Sequence, residues 1–478
     1  MKNFRLRLLL LCVTCIISLG ASATPGRDYL CFTAEKNGST VELIKNGNAY
    51  NAILQYSTDD CENWVLVDFS TETTTGTIML DVGRRVYFRN TRTADEVPGF
   101  SKDYKGGYNH YQFVMSGLIS AKGNVMSLVD CEVKTTTIPS EYCFYGLFED
   151  CTSLISAPEL SADVLKRNCY ENMFKGCTNL VKAPELPATR LAEYCYESMF
   201  SKCTSLAEAP VLPAMELKRY CYYRMFERCE SLTEAPALPA TTLAEDCYNL
   251  MFYECTGLTS APALPAEKLA EYCYSGMFKS CTNLNLVKAS FTEWMDYATD
   301  NWLDGVAEEG TFICPDSLDK ATTGTGNIPE GWTAAFEVKA NGKPETHDYY
   351  TTFHSGKNAY QVPGDMTAYT AVAHGSILLL TPVANGIIPA GEAVVLKCAQ
   401  SMCYLPYTTG TATKSSNNAL KGTDKAADLG ANDYALSLGQ EGVGFYPWYG
   451  KPIGANKAYL PLGGIAPGTK ALGIEFVD

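Results

Sequence analysis

Apolar side chains recur along the middle of the chain with a fixed period of 26 residues. The motif C-[YF]-x-x-[ML]-F-x-x-C-x-x-L begins at Cys143, Cys169, Cys195, Cys221, Cys247 and Cys273. A second cysteine follows each of these, at Cys151, Cys177, Cys203, Cys229, Cys255 and Cys281. A constant period in the range of ~20 to 50 residues indicates one supersecondary unit stacked on copies of itself. The spacing of apolar positions inside the motif is compatible with a helix.

Different patterns flank the repeats. Residues 24–123 alternate apolar and polar positions between turn residues, which predicts a β-sandwich-like domain. The repeat region is predicted to span 124–336, because degenerate half-repeats on both sides would cap the array that begins at 143. Residues 337–345 are predicted to form a linker, and the short strand patterns of 346–478 predict a C-terminal β domain.

The repeated motif and the A-P-x-L-P-A segment between its copies resemble the leucine-rich repeat of BspA-like surface proteins from Gram-negative anaerobic bacteria. The resemblance covers about 200 of the 478 residues. It implies an α/β leucine-rich repeat solenoid flanked by two mainly β domains. It also implies adhesion to host extracellular proteins or to cells, with no particular ligand.

The N-terminus has the features of a secretory signal. Residues 1–23 carry three basic side chains, then an apolar run and the small residues Ala21-Ser22-Ala23. We therefore expect an exported protein, extracellular or at the cell surface in association with the outer membrane, with no transmembrane segment in the mature chain. The net charge of −15 becomes −18 without the three basic residues of the signal. Such an acidic chain is not expected to bind nucleic acid.

The repeated cysteines do not form a catalytic or metal-binding pattern. A nucleophile needs one special environment with a base beside it, and twelve equivalent cysteines do not provide one. We predict no catalytic residues, no cofactor and no metal. Buried thiols at inward positions are favoured, while disulfides between neighbouring repeats stay open as the alternative in an oxidising compartment. A separate disulfide is predicted between Cys398 and Cys403, which flank a tight loop between two strands.

Surface positions of the repeats supply the candidate contact residues. Tyr223, Arg224 and Arg228 cluster in the fourth copy and are residue types that dominate binding hot spots. The acidic residues Glu171 and Glu197 are predicted to lie on a solvated face, as is Glu227.

The sequence therefore favours a non-enzymatic protein that binds an extracellular protein or glycan through the repeats. The alternatives are a carbohydrate-binding or glycan-processing protein of the cell envelope and a purely structural spacer. The sequence gives no expectation for the oligomeric state.

Overall fold

The structure, a computed structural model, describes residues 28–102, 109–343, 347–430, 433–439, 442–449, 451–461, 469 and 471–477. The predicted signal peptide, residues 1–23, lies outside the described residues. The described chain is almost entirely strand and turn, arranged in several sheets, and it contains no α-helix. Short 3-10 turns are found at Ala94–Glu96, Val125–Leu128 and Ala384–Gly386. No described segment forms a helix with the length and apolar character needed to cross a bilayer.

In chain order the strands are β1 (Leu30–Ala34), β2 (Ser39–Lys45), β3 (Ile53–Ser57), β4 (Val65–Asp68), β5 (Ile78–Leu80), β6 (Arg85–Asn90), β7 (Tyr111–Ser116), β8 (Ile119–Lys122), β9 (Leu154–Ser156), β10 (Leu286–Lys288), β11 (Thr311–Ile313), β12 (Thr333–Lys339), β13 (Asn341–Lys343), β14 (Asp348–His354), β15 (Ala359–Gln361), β16 (Met366–His374), β17 (Ile377–Pro382), β18 (Ile387–Ile388), β19 (Ala393–Cys398), β20 (Met402–Thr408), β21 (Lys421–Thr423), β22 (Tyr434–Gly439), β23 (Gly442–Pro447), β24 (Lys457–Tyr459) and β25 (Leu472–Phe476).

Two sheets pack on each other at the N-terminal end. One has the strand order β4-β3-β6-β1-β8-β9 and the other the order β5-β2-β7. Phe32 and Phe88 of the first sheet meet Phe113 of the second with ring centroids 4.8 and 5.2 Å apart. Because β9 belongs to the first repeat and pairs in parallel with β8, the N-terminal sheet continues directly into the repeats.

The repeats form a stack without helices, so the α/β leucine-rich repeat solenoid predicted from the sequence is wrong. We call residues 142–284 the repeat stack. Its backbone hydrogen bonds alternate: Tyr170 N–H donates to Cys195 O in the next repeat, at 3.1 Å, whereas Glu171 N–H donates to Asn168 O in its own repeat, at 3.3 Å. The same alternation continues with Asn172. An α-helix would instead join every N–H to the carbonyl four residues earlier, so the apolar spacing that resembles a helix belongs to a chain of tight turns.

Left-handed backbone residues explain why each repeat turns rather than coils into a helix. Asn168 and Asn172 have φ values of 57° and 56°, and Gly176 has a φ of 75°. Asparagine and glycine are the residue types that adopt this conformation most readily. Because a left-handed residue recurs every four positions, the chain cannot continue as an α-helix. Alternate N–H groups point to the next repeat instead.

Aromatic columns fill the interior of the repeat stack. The Phe column stacks with centroid separations of 5.3 to 5.7 Å at Phe148, Phe174, Phe200, Phe226, Phe252 and Phe278. A second column runs from Phe144 through Tyr170 to Tyr274 with separations of 5.8 to 6.0 Å. Phe113 stacks on Phe148 at 5.4 Å. One hydrophobic core therefore runs from Leu30 to Ala334, across both the N-terminal sheets and the repeat stack.

The closing end of the stack continues into the C-terminal strands. β10, β11 and β12 pair in parallel, and β12 pairs antiparallel with β20. Of the predicted linker, residues 337–339 lie in β12 and 341–343 form β13, while 344 and 345 lie outside the described residues. β15 pairs with β20 and β18 pairs with β15, which completes the sheet that contains β12 in the order β10-β11-β12-β20-β15-β18. The other C-terminal strands form an eight-stranded sheet in the order β13-β14-β19-β16-β17-β25-β23-β22 and the pair β21-β24. Two separate hydrophobic clusters lie in this part of the chain.

A buried carboxylate connects the segment after β11 to the C-terminal strands. Asp316 accepts hydrogen bonds from the Ser355 hydroxyl at 2.9 Å and the Tyr360 hydroxyl at 2.6 Å. Nearby, the Lys320 ammonium donates to the carbonyls of Pro315, Asp316 and Leu318 at 3.1, 2.7 and 3.0 Å. The Lys320 ammonium is thus satisfied within its own segment, whereas Asp316 has its partners across the junction and holds this segment against the end of β14 and against β15.

Candidate functional site

The twelve repeat cysteines lie in two buried columns and carry free thiols. In the second column each thiol donates to a Phe carbonyl, with Sγ···O distances of 3.0 to 3.2 Å. Cys151 donates to Phe113 of β7, and the other five thiols donate to the stacked Phe of the preceding repeat. Burial raises the pKa of these thiols, in Cys203 to about 12. A thiol with a raised pKa is a poor nucleophile, so the columns are suited to packing and not to catalysis.

Cys398 ends β19 and Cys403 lies near the start of β20; the two strands belong to different sheets, and the two thiols are within hydrogen-bond reach of each other. Both are buried free thiols, and burial raises the pKa of Cys398 to about 12. The disulfide between them stays a prediction. Among the described residues, no group of three or more His, Cys, Asp or Glu side chains is arranged to hold a metal ion.

A polar cleft of about 380 Å³ opens on the outer side of the first four repeats. Four residues separated by 26 positions run along it: Tyr145, Glu171, Glu197 and Tyr223. The residues that directly follow three of these, Asn172, Ser198 and Arg224, also line the cleft, as does Lys175. We call this site the glutamate cleft. It exists because the stacking brings equivalent slots of successive repeats side by side.

The two ends of the glutamate cleft differ. Tyr145 is only 6 % exposed, and its hydroxyl accepts a hydrogen bond from the Asn172 amide at 3.2 Å. Tyr223 at the other end is half-buried, with the edge of its ring against Tyr220 at a centroid distance of 5.4 Å. One end of the cleft is therefore closed by a buried ring, whereas the other end is open and is lined by a ring that remains accessible.

The basic side chains around the cleft are paired with carboxylates other than the two central ones. Lys175 Nζ lies 2.9 Å from Glu149 Oε1, and Arg224 Nη1 lies 3.4 Å from Glu227 Oε1. Glu171 accepts a hydrogen bond from the Asn168 amide. For the Glu197 carboxylate, the described part of the chain shows neither an ion pair nor a hydrogen bond. Glu197 is therefore left to interact with whatever enters the cleft.

Partial burial changes the acidity of the central pair. It raises the pKa of Glu171 to about 7, with the charge of Glu149 adding to the effect. It raises the pKa of Glu197 to about 8, with the negative charge of Glu171 as the second cause. Two like carboxyls in one low-dielectric site cannot both ionise easily. Near neutral pH the pair therefore holds a proton and can donate as well as accept hydrogen bonds.

The structure brings two of the three candidate contact residues into the cleft. Arg224 Nε donates to the Tyr223 hydroxyl at 2.9 Å, and both residues line the site. Arg228 is not among its lining residues and forms an ion pair with Glu254, with a closest distance of 2.8 Å.

The prediction of a solvated acidic face does not describe these glutamates. Glu171 and Glu197 are half-buried, and Glu227 is only 8 % exposed, with an oxygen 3.0 Å from the Ser201 hydroxyl. The cleft could have been predicted from the sequence by comparing the residues at one equivalent position in successive repeats. Such a comparison places two glutamates between two tyrosines.

Comparisons with known proteins add no identification: no protein-family model matches the chain, and searches of curated proteins and of solved structures return no match.

Proposed function

We propose that this chain is an exported, non-enzymatic binding protein that contacts an extracellular macromolecule through the repeat stack. The single observation that carries the proposal is the glutamate cleft. It gathers Tyr223 and Arg224, chosen from the sequence as contact residues, beside Glu197, whose carboxylate forms no ion pair or hydrogen bond with the described residues. The resemblance to BspA-like surface proteins supports adhesion to host proteins or cells, and the N-terminal signal pattern supports export.

The rigid packing of the repeat stack beneath the cleft favours a binding role. Each repeat bonds to the next through the backbone, and the core continues without a break into the N-terminal sheets. A surface held in this way loses little conformational entropy when a partner binds. It can therefore gain affinity from several modest contacts.

The test uses the full mature chain and a panel of purified extracellular matrix proteins and glycans. We expect at least one partner to bind, and we expect Tyr223→Ala to weaken that binding about tenfold, the effect of losing one central aromatic contact. Tyr253→Ala is the matched control, because Tyr253 is a half-buried tyrosine of the repeats outside the cleft. Binding that is unchanged by Tyr223→Ala would leave the repeat stack as a spacer.

A second candidate, glycan processing, is favoured by one observation. Glycosidases use two carboxylic side chains, one of which keeps its proton near neutral pH. Glu171 and Glu197 provide two such carboxyls on adjacent repeats of one cleft. Release of new reducing ends from an oligosaccharide panel, abolished by Glu197→Gln, would support this candidate over the binding role.

A further inference from the structure

We infer that the glutamate cleft binds an uncharged oligosaccharide. This inference rests on the proposed function, since it names the ligand class of the same site. It follows from three properties of the cleft: its charge balance, its hydrogen-bonding groups and the aromatic surface next to it.

The charges around the cleft nearly cancel. Lys175 is neutralised by Glu149 and Arg224 by Glu227, through the ion pairs described above. The central pair, Glu171 with Glu197, retains a proton near neutral pH because of its burial. An anionic ligand would meet carboxyls, and a cationic ligand would meet two paired basic side chains. A ligand without net charge avoids both penalties.

The cleft offers alternating donors and acceptors over a short distance. The Asn172 amide, the Ser198 hydroxyl and the Glu197 carboxyl all line it, from two adjacent repeats. A volume of about 380 Å³ falls in the usual range of ~300 to 1,000 Å³ for small-ligand sites. Groups that both donate and accept match the hydroxyls of a sugar, each of which also does both.

An aromatic surface continues from the open end of the cleft. Tyr223 contacts Tyr220, which stacks on Tyr194 with centroids 4.7 Å apart. Arg219 and Arg167 lie over Tyr220 and Tyr194 at 4.9 and 5.2 Å and hold the rings in place. A chain of several sugars could place one unit in the cleft and the next against these ring edges, because tyrosine offers an apolar body with a polar tip. The ligand is therefore an oligosaccharide and not a single sugar.

The test measures binding of the full mature chain to three sets of oligosaccharides by titration calorimetry: neutral β-glucan and N-acetylglucosamine oligomers, amine-bearing glucosamine oligomers, and sulfated oligomers. We expect a neutral set to bind. Glu197→Ala and Tyr223→Ala should each weaken binding about tenfold, and Tyr253→Ala should have no effect. Glu197→Gln should bind nearly as well as the unmodified chain, because an amide can replace a protonated carboxyl as donor and acceptor.

The glutamine variant separates this inference from its competitors. Binding of only the amine-bearing set, lost in Glu197→Gln, would overturn the neutral-ligand assignment in favour of a cationic ligand. If no oligosaccharide binds but a matrix protein does, with sensitivity to Tyr223→Ala, the inference fails and the proposed function stands. If neither binds through the cleft, both fail.

Discussion

The repeat stack and the C-terminal strands satisfy their backbone hydrogen-bonding groups in different ways. In the C-terminal part, paired strands such as β14 and β19 share ladder bonds, and apolar side chains gather in two separate clusters. In the repeat stack, tight turns send alternate N–H groups to the next repeat, and one core runs through every copy. The difference shows that a fixed sequence period can build an ordered stack from turns with few regular strands and no α-helix.

Because the repeats stack around one core, substitutions at inward positions should destabilise the protein far more than substitutions at outward positions. Phe226 is fully buried in the Phe column, whereas Tyr223 is half-buried at the cleft. We expect Phe226→Ala to lower the free energy of unfolding by ~3 to 5 kcal/mol, the usual result of emptying a large aromatic site. Tyr223→Ala should lower it by less than about 1 kcal/mol. Urea unfolding followed by tryptophan fluorescence measures both, and equal losses would contradict the division into inner and outer slots.

The cysteine columns should behave as one buried set. The twelve repeat thiols are buried, and those of the second column donate to backbone carbonyls. We expect few of the twelve to react with a thiol reagent in the native protein and most to react after denaturation without a reductant. Mass spectrometry of labelled peptides counts them, and the same peptides report whether Cys398 and Cys403 are joined. Unreactive cysteines after denaturation would mean that the repeats are linked by disulfides.

Stability should fall as pH rises through the range in which the cleft ionises. The pKa values of about 7 and about 8 for Glu171 and Glu197 lie above the ordinary value of 4.5. Their stabilising contribution is therefore complete below pH ~4.5 and is lost as pH rises through about 7 to 8. Arg167, Lys175 and Arg224 face the pair and limit the loss, as basic neighbours favour ionised carboxyls.

We expect Glu197→Gln to be more stable than the unmodified chain at pH 8 by about 1 to 3 kcal/mol, and the two to converge at pH 5. Urea unfolding at both pH values measures the difference. Glu245→Gln is the control, because Glu245 is already paired with Arg219 at 2.7 Å. A difference between Glu197→Gln and the unmodified chain that does not change with pH would contradict the raised pKa.

A glycine substitution distinguishes the turns from a helix directly. Lys202 has a φ of 63°, and glycine occupies the equivalent slot at Gly176. In a helix, Lys202→Gly would destabilise the protein by about 1 kcal/mol. If Lys202 is left-handed, Lys202→Gly removes strain and stabilises the folded chain by ~1 to 2 kcal/mol. The greater flexibility of glycine in the unfolded chain reduces this gain by roughly 0.5 to 1 kcal/mol. Urea unfolding should therefore show no loss, or a small gain.

The opposite change at the same slot provides the control. Gly176 has a φ of 75°, and a Cβ atom added there would lie 3.3 Å from Asp150 Cα, so we expect Gly176→Ala to lower stability by ~1 to 2 kcal/mol. If Lys202→Gly destabilises while Gly176→Ala does not, the turn description is wrong.

The sequence contained the period and the candidate contacts Tyr223 and Arg224, but not the local backbone. Apolar residues at Cys169, Tyr170, Met173 and Phe174 satisfy a helix and a chain of four-residue turns equally well, because the two periods differ little over one motif. The signal that distinguishes them is the pattern of Asn168, Asn172 and Gly176 in the second repeat. Most other copies have other residue types at these positions, such as Tyr194 in place of Asn168. The glutamates were missed because their burial depends on neighbours one repeat away.

The most direct test of binding through the repeat stack is hydroxyl-radical footprinting of the full mature chain with and without a partner found by the panel. We predict that Tyr223 becomes protected from oxidation when the partner binds, whereas Tyr253, outside the cleft, does not change. Protection confined to residues 28–122 or 347–477, with Tyr223 oxidised at the same rate in both samples, would contradict binding through the repeat stack.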